Sequence, residues 1–395
     1  MSSESKQQAP VKTRSGKRQV WLDVLRFVAI ALVLGAHMDE CGPGVHPWVK
    51  FAANVWRCGG WTGVDLFFVL SGFLVSGLIF SEQARTGTVD LGRFLIRRGF
   101  KIYPAFWVVI IFTIFYRLRN YGGWLTTKKI VGELLFLQNY VGRMWNTHWS
   151  LAVEEHFYIL LALGVALSLK LAREKHQQPF RRLPVVFVVV ALFCLSVRWY
   201  NGAHYAFDVD RHLMPTHARI DSLLFGVLVS WALHNRLWTG ENWSAGRRWL
   251  LVLVGVGLYV PAFVFPFYDV WWVLVFCVIA FYVGGGLLVM AGHGVSERWP
   301  APFRLAAFIG EYSYSIYLWH IPFKMWINPH ITRMLHVQNI WWVSTASYMV
   351  GSIIFGCVMA KLIERPMLIL RDKWFPARSK TAAEAAPESS APAHI

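Results

Sequence analysis

The chain has 395 residues, of which 56% are hydrophobic and 15% are charged, and its formal net charge is +17 at pH 7. Soluble domains carry about 25% charged residues, so this composition excludes an ordinary water-soluble domain. The 21 Trp and 28 Phe residues agree with an integral membrane protein, because aromatic side chains collect at the two membrane interfaces.

Apolar stretches long enough to cross a bilayer follow one another along the chain, each close to the ~20 residues that a transmembrane helix needs. The fold class predicted from them is all-α, a polytopic integral membrane protein with about ten transmembrane helices. The apolar run 131–141 is too short to span and is predicted to lie at the interface. The predicted spans are 20–38, 61–80, 101–118, 149–169, 183–200, 218–235, 249–265, 270–291, 305–327 and 340–362.

Basic residues predict the orientation of these helices, because Lys and Arg concentrate in cytoplasmic segments. With both termini in the cytoplasm, the inner segments hold 26 Lys and Arg residues and the outer segments hold 9. We therefore predict a multi-pass protein of the inner (plasma) membrane. It has a basic cytoplasmic tail at 1–19, a transmembrane domain at 20–371 and a disordered cytoplasmic tail at 372–395. The basic residues face anionic lipid, so no nucleic-acid site is predicted.

The first predicted helix carries two ionisable groups that lipid disfavours, Arg26 and His37. They are eleven residues apart, close to three helical turns, so both side chains lie on one face, roughly 16 Å apart along the axis. With the N-terminus in the cytoplasm, Arg26 would lie in the inner half of the membrane and His37 near the outer end of the helix. Such groups within a membrane are usually functional, although a snorkelling Arg26 and an interfacial His37 would also satisfy the pattern.

Polar side chains of four other predicted helices fall at the depth of His37. Together they predict a polar cavity that opens outward, although each group alone could equally form a structural hydrogen bond or ion pair. A carboxylate beside His37 would orient the imidazole and raise its basicity, as a general base requires. The residues are Asp65, Glu154, Glu155, Arg219, Asp221, Tyr314, Tyr317 and His320.

A basic cluster stands where the third predicted helix enters the membrane from the inner side. Arg97, Arg98 and Lys101 lie near the positive end of the helix dipole, where phosphates bind well. Arg98 and Lys101 are i, i+3 neighbours on one helix face. The cluster predicts a cytoplasmic phosphate site, although topological anchoring alone would also place basic residues here.

Seven short motifs occur in one order along the chain, beginning with an Arg and a His separated by ten residues in the first helix. In this order the motifs resemble the acyltransferase-3 family of polytopic membrane acyltransferases, over residues of about 19 to 371. After Arg26 and His37, the motifs are DLFFVLSGFL, RRGFKIYPAFW, WSLAVEEHFY, RIDSLLFG, YSYSIYLWH and IERP.

The resemblance implies an enzyme that transfers an acyl group, commonly acetyl from acetyl-CoA, to a hydroxyl of a sugar, glycan, antibiotic or similar acceptor. It implies that His37 is the catalytic base and that Arg26 and the basic cluster handle the donor. We accordingly assign Arg26, Arg97, Arg98 and Lys101 to the donor site. Acyl-CoA is then a co-substrate, and no permanently bound cofactor or metal is predicted.

The remaining predicted site residues complete this hypothesis. Glu154, Glu155 or Asp65 would assist His37 in deprotonating the acceptor hydroxyl. The predicted partners are acyl-CoA, the hydroxyl acceptor and membrane lipid, and the oligomeric state is left open. The acceptor cavity would be formed by Arg219, Asp221, Tyr314, Tyr317 and His320.

Two positions depart from the family pattern. Lys101 stands where the family has a second arginine, which keeps the charge but loses bidentate geometry. His156 stands where glutamine is common. Some members also append an extracytoplasmic hydrolase-like domain. About 30 residues follow the last predicted helix here, so we expect either direct acylation of the acceptor or help from a separate protein.

Two other function classes fit parts of the pattern. Secondary transporters also keep buried Arg, His and Glu side chains on facing helices, but no inverted repeat is evident in this sequence. A lipid- or glycan-binding protein without catalysis would leave His37 without a chemical role. The five cysteines show no metal-ligand spacing, and Cys41 and Cys58, in one outer loop, either pair or stay free.

Overall fold

The computed structural model describes residues 19–121, 126–295, 299–337 and 339–376. Within these ranges the chain forms seventeen α-helices and no β-strand. This confirms the predicted all-helical fold class. The predicted N-terminal tail lies outside the described residues except for Gln19, and so does the C-terminal tail beyond residue 376.

The helices follow one another through short connections, and some are continued by 3₁₀ or π-helical turns. In chain order they are α1 Val20–Ala36, α2 Pro47–Gly59, α3 Gly63–Thr86, α4 Leu91–Tyr121, α5 Thr127–Leu134, α6 Trp149–Glu174, α7 Leu183–His204, α8 Val209–His212, α9 Ile220–His234, α10 Ala245–Gly257, α11 Val260–Val264, α12 Val278–Gly292, α13 Ala301–Glu311, α14 Ser313–Pro322, α15 Asn328–Met334, α16 Trp341–Met359 and α17 Arg365–Trp374.

Seven helical segments of the described chain are long and apolar enough to cross a membrane, which makes the protein a multi-pass membrane protein. They overlap seven of the ten predicted spans. The other three predicted spans fall on shorter helices, namely α1, α9 and the pair α13–α14, so the ten-span topology stays a prediction. The seven segments are Pro47–Thr86, Leu91–Asn120, Asn146–Glu174, Leu183–His204, Ala245–Val264, Val273–Gly292 and Trp341–Trp374.

Helix α3 lies at the centre of the bundle, where it packs against α1, α9 and α12. The apolar window of its span is 72% buried, against 11% for the span of α7, which therefore lies at the periphery. Glycines allow the central contact. A Cβ on Gly72 would lie 1.9 Å from the carbonyl oxygen of Leu223, and a Cβ on Gly226 would lie 2.2 Å from that of Val69. Small residues permit such close backbone approach between membrane helices.

Local sequence explains several helix boundaries. Pro47 occupies the first turn of α2, where its missing N–H is not needed. Gly87 ends α3 with φ of 70°, a left-handed conformation that glycine adopts without strain. Two π-helical turns, Phe323–Ile327 after α14 and Ala360–Glu364 after α16, widen the backbone locally. Such turns often accompany functional sites, and these two carry Lys324 and Glu364.

Two further predictions concern the outer loops. The segment predicted to lie at the interface, 131–141, is the end of the eight-residue helix α5 followed by turns, so it does not span a membrane. Cys41 and Cys58 are both free thiols, which resolves the two alternatives in favour of no disulfide in this structure.

Candidate functional site

A cavity lies between α1, α3, α4, α6 and the α13–α14 pair, and its empty space, together with the open solvent at its mouth, is about 820 Å³. Its wall combines basic, acidic and hydroxyl side chains with apolar ones from α3. The polar lining residues are Arg26, Ser71, Arg98, Lys101, Ser150, Glu154, Glu311, Ser313, Tyr314 and Tyr317. The cavity therefore brings together residues from both predicted sites, the donor site and the acceptor cavity.

The contacts along α14 show that the polar groups of the cavity wall change from one end of the cavity to the other. Tyr314 donates a hydrogen bond to the carbonyl of Ile102, 2.7 Å away, at the level of the basic side chains of α4. One turn further, the hydroxyl of Tyr317 lies 2.6 Å from that of Ser150. The next residue on this face is His320, whose ring meets that of His37. The cavity thus changes from a cationic end to an end lined by the hydroxyls of Tyr317 and Ser150. His320 contacts Tyr317 and His37 contacts His320, but neither histidine is among the residues that line the cavity.

Arg98 is held in the cavity wall by Tyr158 of α6. It donates a hydrogen bond to the Tyr158 hydroxyl, and its guanidinium stacks over the Tyr158 ring, 4.4 Å from the centroid. The Tyr158 hydroxyl donates to Glu154 Oε2 at 2.7 Å and lies 2.6 Å from the hydroxyl of Ser71. Nε of Arg98 is buried and has no hydrogen-bond partner within the described residues. The guanidinium is therefore held in the cavity wall by Tyr158.

The other two basic residues of the cavity have weaker or local partners. Arg26 donates to Asp23 Oδ1, 2.7 Å away and three residues earlier on α1. Lys101 Nζ lies 3.9 Å from Glu364 Oε1, the limit of an ion pair. Arg26 and Lys101 keep 29% and 31% of their side-chain surface accessible. Both cations can therefore meet an anion that enters the cavity.

Arg97 occupies a different face of α4 from Arg98. It pairs with Asp372 of α17 at 3.0 Å and donates a hydrogen bond to the carbonyl of Phe375. It is not among the residues that line the cavity. The structure therefore separates Arg97, which docks the last described helix, from the other three predicted donor-site residues.

His37 closes α1 in a defined tautomer. Its Nδ1 lies 2.8 Å from the carbonyl oxygen of Val33, which only accepts, so Nδ1 donates. In the neutral imidazole Nε2 then carries the lone pair that a general base needs. The His320 ring stands edge-on at 5.1 Å, and Lys324 Nζ donates to the His37 carbonyl at 2.6 Å. Lys324 also pairs with Asp39 at 2.7 Å.

The carboxylates predicted to assist His37 have other hydrogen-bond partners. Glu154 accepts from Tyr158, as described, and lines the cavity. Glu155 accepts from the hydroxyl of Tyr103 at 2.9 Å. Asp65 is fully buried and pairs with Arg219 at 2.6 Å. The structure thus brings His320, rather than a carboxylate, beside His37.

The predicted acceptor-cavity residues divide into two groups. Tyr314 and Tyr317 line the cavity and His320 lies directly behind Tyr317. Arg219 and Asp221 do not line it. Arg219 is bound by Asp65, and Asp221 accepts two hydrogen bonds from Arg198 of α7, at 2.8 and 3.1 Å. These two buried ion pairs hold α9 against α3 and α7.

Several residues that shape the site were not predicted from the sequence. Tyr158 follows Glu154 by four residues on one helix face, so the spacing alone contains the signal for that pair. Ser71 and Tyr103 lie within motifs that were recognised for other residues. Glu364 likewise lies within the IERP motif. Lys324 lies on a π-helical turn, for which the sequence offers no comparable signal. No group of three His, Cys, Asp or Glu side chains suited to a metal ion occurs among the described residues.

Residues 19–361 match the model of the acyltransferase domain family that the sequence motifs resemble. The chain belongs to the acyltransferase-3 family. The match covers most of the chain, including every residue that lines the cavity. The match confirms the family predicted from the seven motifs. His37 and His320 both lie within the matched residues.

Two acyltransferase-3 relatives carry names that describe their activity. The chain is 26% identical to the peptidoglycan O-acetyltransferase OatA of Listeria monocytogenes over 361 residues, 81% of this chain and 51% of the relative. It is 26% identical to the O-acetyltransferase OatA of Staphylococcus aureus strain NCTC 8325 over 316 residues, 70% of this chain and 48% of the relative. The chain thus spans about half the length of these relatives. No solved structure matches it.

Proposed function

We propose that the protein is an O-acyltransferase of the inner membrane that moves an acetyl group from cytoplasmic acetyl-CoA to a glycan hydroxyl. The observation that carries this proposal is the graded cavity. Its cationic end suits the phosphates of a CoA thioester, and Tyr317 at its hydroxyl end contacts His320, which in turn contacts His37. Family membership and the names of the two relatives support the same reaction class.

The donor is proposed to bind at Arg26, Arg98 and Lys101. Charge-assisted contacts between such cations and phosphate oxygens are stronger than neutral hydrogen bonds. Arg98 lines the cavity, where Tyr158 holds its guanidinium in place. With the phosphates held there, the pantetheine arm would extend along α3 towards Tyr317 and Ser150. The apolar lining from α3, including Phe67 and Leu70, suits that uncharged arm.

His37 is proposed to act as the general base. Its Nε2 takes the proton of the acceptor hydroxyl as the oxygen attacks the thioester carbonyl carbon. The carbon–sulfur bond then breaks, and the CoA thiolate leaves and regains one proton, so that none is gained or lost overall. The tautomer fixed by Val33 is what presents the Nε2 lone pair for this step.

The acceptor is proposed to be a cell-envelope glycan. One relative is named for peptidoglycan O-acetylation, and a glycan on the outer side would approach the end where His37 lies under the predicted orientation. In the same orientation of the protein, the donor is proposed to reach the cationic end of the cavity from the cytoplasm. A transfer assay with purified protein shows whether a separate protein completes the transfer. The purified protein either acylates the glycan alone or requires a second protein.

Mass spectrometry of cell-envelope glycans tests this proposal directly. We expect gene deletion to remove one acyl mass, the wild-type gene to restore it, and His37→Gln not to restore it, since a general base contributes about 10²- to 10⁴-fold in rate. Protein levels and acyl-CoA binding of His37→Gln should stay normal. Unchanged acyl masses after deletion would overturn the function. Full restoration by His37→Gln would instead overturn the base assignment alone.

A further inference from the structure

The hydroxyl of Tyr158 is shared by three side chains of the cavity wall. It accepts a hydrogen bond from the guanidinium of Arg98 and donates its own proton to Glu154 Oε2 at 2.7 Å. The hydroxyl of Ser71 lies 2.6 Å away on a third side. A phenolic hydroxyl has one proton and two lone pairs, so these three side chains use it completely. Tyr158 is 1% exposed, so its hydroxyl serves the protein and not a ligand.

The direction of these hydrogen bonds determines where the proton of Ser71 points. A guanidinium can only donate and an ionised carboxylate can only accept, and the charges of Arg98 and Glu154 balance across the Tyr158 hydroxyl. Because the Tyr158 proton goes to Glu154, Ser71 donates to Tyr158. If Tyr158 donated to Ser71 instead, the Ser71 proton would go to Glu154 Oε2, 3.5 Å away. In both arrangements Ser71 Oγ has only a lone pair left for a ligand.

Three other hydroxyls of the cavity are oriented in the same way. Tyr314 donates to the carbonyl of Ile102, and Tyr317 donates to that of Thr147, each at 2.7 Å. Ser150 therefore donates to the Tyr317 hydroxyl, 2.6 Å away. All three hydroxyls use their protons within the protein. The cavity thus offers hydrogen-bond donors at its cationic end and acceptors at these hydroxyls.

Ser71 lies where the arm of a CoA molecule would leave its phosphates. Only the Tyr158 hydroxyl stands between Ser71 and Arg98, and Ser71 is partly exposed. Its neighbours on α3, among them Phe67 and Leu70, line the cavity with apolar groups. A sugar in this stretch would leave most of its hydroxyls without a partner, which is costly. The uncharged pantetheine arm fits better, because its amide N–H groups are spaced along the chain and each needs one acceptor.

We propose that Ser71 accepts a hydrogen bond from an amide N–H of the pantetheine arm of acyl-CoA. This inference rests on the proposed acyl transfer, in which acyl-CoA is the donor. Tyr158 touches no ligand and is a positioning residue. Its single hydroxyl holds Arg98 for the phosphates and turns the lone pair of Ser71 towards the arm, so it aligns two parts of the same ligand.

Calorimetric titration of the purified full-length protein in detergent tests the inference with two ligands. Acetyl-CoA carries the arm, and 3′-phospho-ADP is its nucleotide part without the arm. We expect Ser71→Ala to weaken acetyl-CoA binding about three- to tenfold, the range for one neutral hydrogen bond, and to change 3′-phospho-ADP binding by less than about twofold. Ser71→Cys should give the same result, because a thiol is a weak acceptor of similar size.

Tyr158→Phe tests the positioning role. It keeps the ring under the guanidinium and removes the hydroxyl that holds Arg98, so both ligands should bind more weakly. In a protein that already carries Arg98→Ala, the same change should no longer affect 3′-phospho-ADP binding, because the group that Tyr158 positions is gone. An equal effect of Tyr158→Phe with and without Arg98 would overturn this role.

Ser76→Ala provides the matched control, because it removes a hydroxyl from the same helix. Ser76 donates to the carbonyl of Gly72 at 2.7 Å and does not line the cavity, so both affinities should stay at the wild-type values. Thermal stability is measured on the same samples.

Three results would overturn the inference. If Ser71→Ala and Ser71→Cys bind acetyl-CoA as the wild type does, or weaken both ligands equally, the inference is overturned while the proposed function stands. Normal acetyl-CoA affinity with a raised KM for the glycan would also overturn it and assign Ser71 to the acceptor. If the wild type binds no acetyl-CoA, the proposed donor and the inference are both overturned.

Discussion

Arg98 and Arg97 are adjacent in the chain, yet their side chains have different partners. Arg98 lies in the cavity wall, where its guanidinium is stacked on Tyr158. Arg97 points to α17, where it holds Asp372 and the carbonyl of Phe375. Because consecutive residues on a helix are about 100° apart, one basic pair serves two purposes. The cluster combines a ligand site with the anchoring of a helix.

Arg98→Ala should weaken acyl-CoA binding about ten- to hundredfold, because a hydrogen bond to a charged group contributes about 1.5–3 kcal/mol. The loss follows from removing a guanidinium that lines the cavity. Calorimetric titration of acetyl-CoA into purified protein measures it. Arg97→Ala is the matched comparison and should chiefly loosen α17, seen as lower thermal stability. Equal donor affinity in wild type and Arg98→Ala would move the donor site away from α4.

The site residues that could be predicted from the sequence share one property. Their position along a helix was enough to assign them to the site. Arg98 and Lys101 both line the cavity. The predicted position at a helix start was wrong, because α4 begins at Leu91 and has both residues in its interior, beyond the first turn where the helix dipole acts. Asp65 was predicted to assist His37, but its side chain pairs with Arg219. The sequence determines depth through the order of apolar residues, whereas the direction around the helix depends on which neighbours pack there. The contact of His37 with His320 was for that reason not predictable.

At the scale of the helix, the close packing of α3 on α9 depends on glycine. A methyl group at Gly72 would lie 1.9 Å from the backbone oxygen of Leu223, and backbone cannot move aside as a flexible side chain can. The sequence predicted both helices because apolar length is easily recognised. It did not predict that they touch, because a glycine in a membrane helix marks a close contact without naming its partner.

Gly72→Ala should therefore destabilise the protein by at least about 1–3 kcal/mol, the usual range for overpacking. Gly77→Ala on the same helix is the control, because its Cβ would meet the Ser230 hydroxyl at an ordinary 3.4 Å. Thermal unfolding of both variants in one detergent compares them. A Gly72→Ala protein as stable as Gly77→Ala would show that α3 and α9 are further apart than described.

At the scale of the whole molecule, the distribution of basic residues predicts which ends of the helices face the cytoplasm. The cationic end of the cavity falls on that side, so donor entry and topology are one hypothesis. The seven apolar spans establish that the chain crosses the membrane repeatedly. The side of the membrane on which each loop lies stays a prediction, because the length and hydropathy of a helix are the same whichever way it crosses.

Labelling of single cysteines in intact cells tests the orientation. On a background without the five native cysteines, Gln178→Cys between α6 and α7 should react with an impermeant thiol reagent only after lysis. His46→Cys between α1 and α2 should react before lysis. Both positions are exposed, so burial does not mask them. The reverse pattern would exchange the two sides and with them the direction of transfer.

The two buried ion pairs also constrain how a ribosome-bound chain enters the membrane. Asp65 and its counter-ion Arg219 are separated by 154 positions, so α3 is synthesised long before its charge is matched. An unmatched Asp at a helix centre costs about 2.5–3.5 kcal/mol on insertion, less near an end. Arg219 and Asp221 both lie at the start of α9. The partner of Asp221, Arg198 of α7, has by then already been synthesised. Both pairs can therefore form only once α9 has been made, when it joins α3 and α7 in one step while α10 to α17 are still to follow.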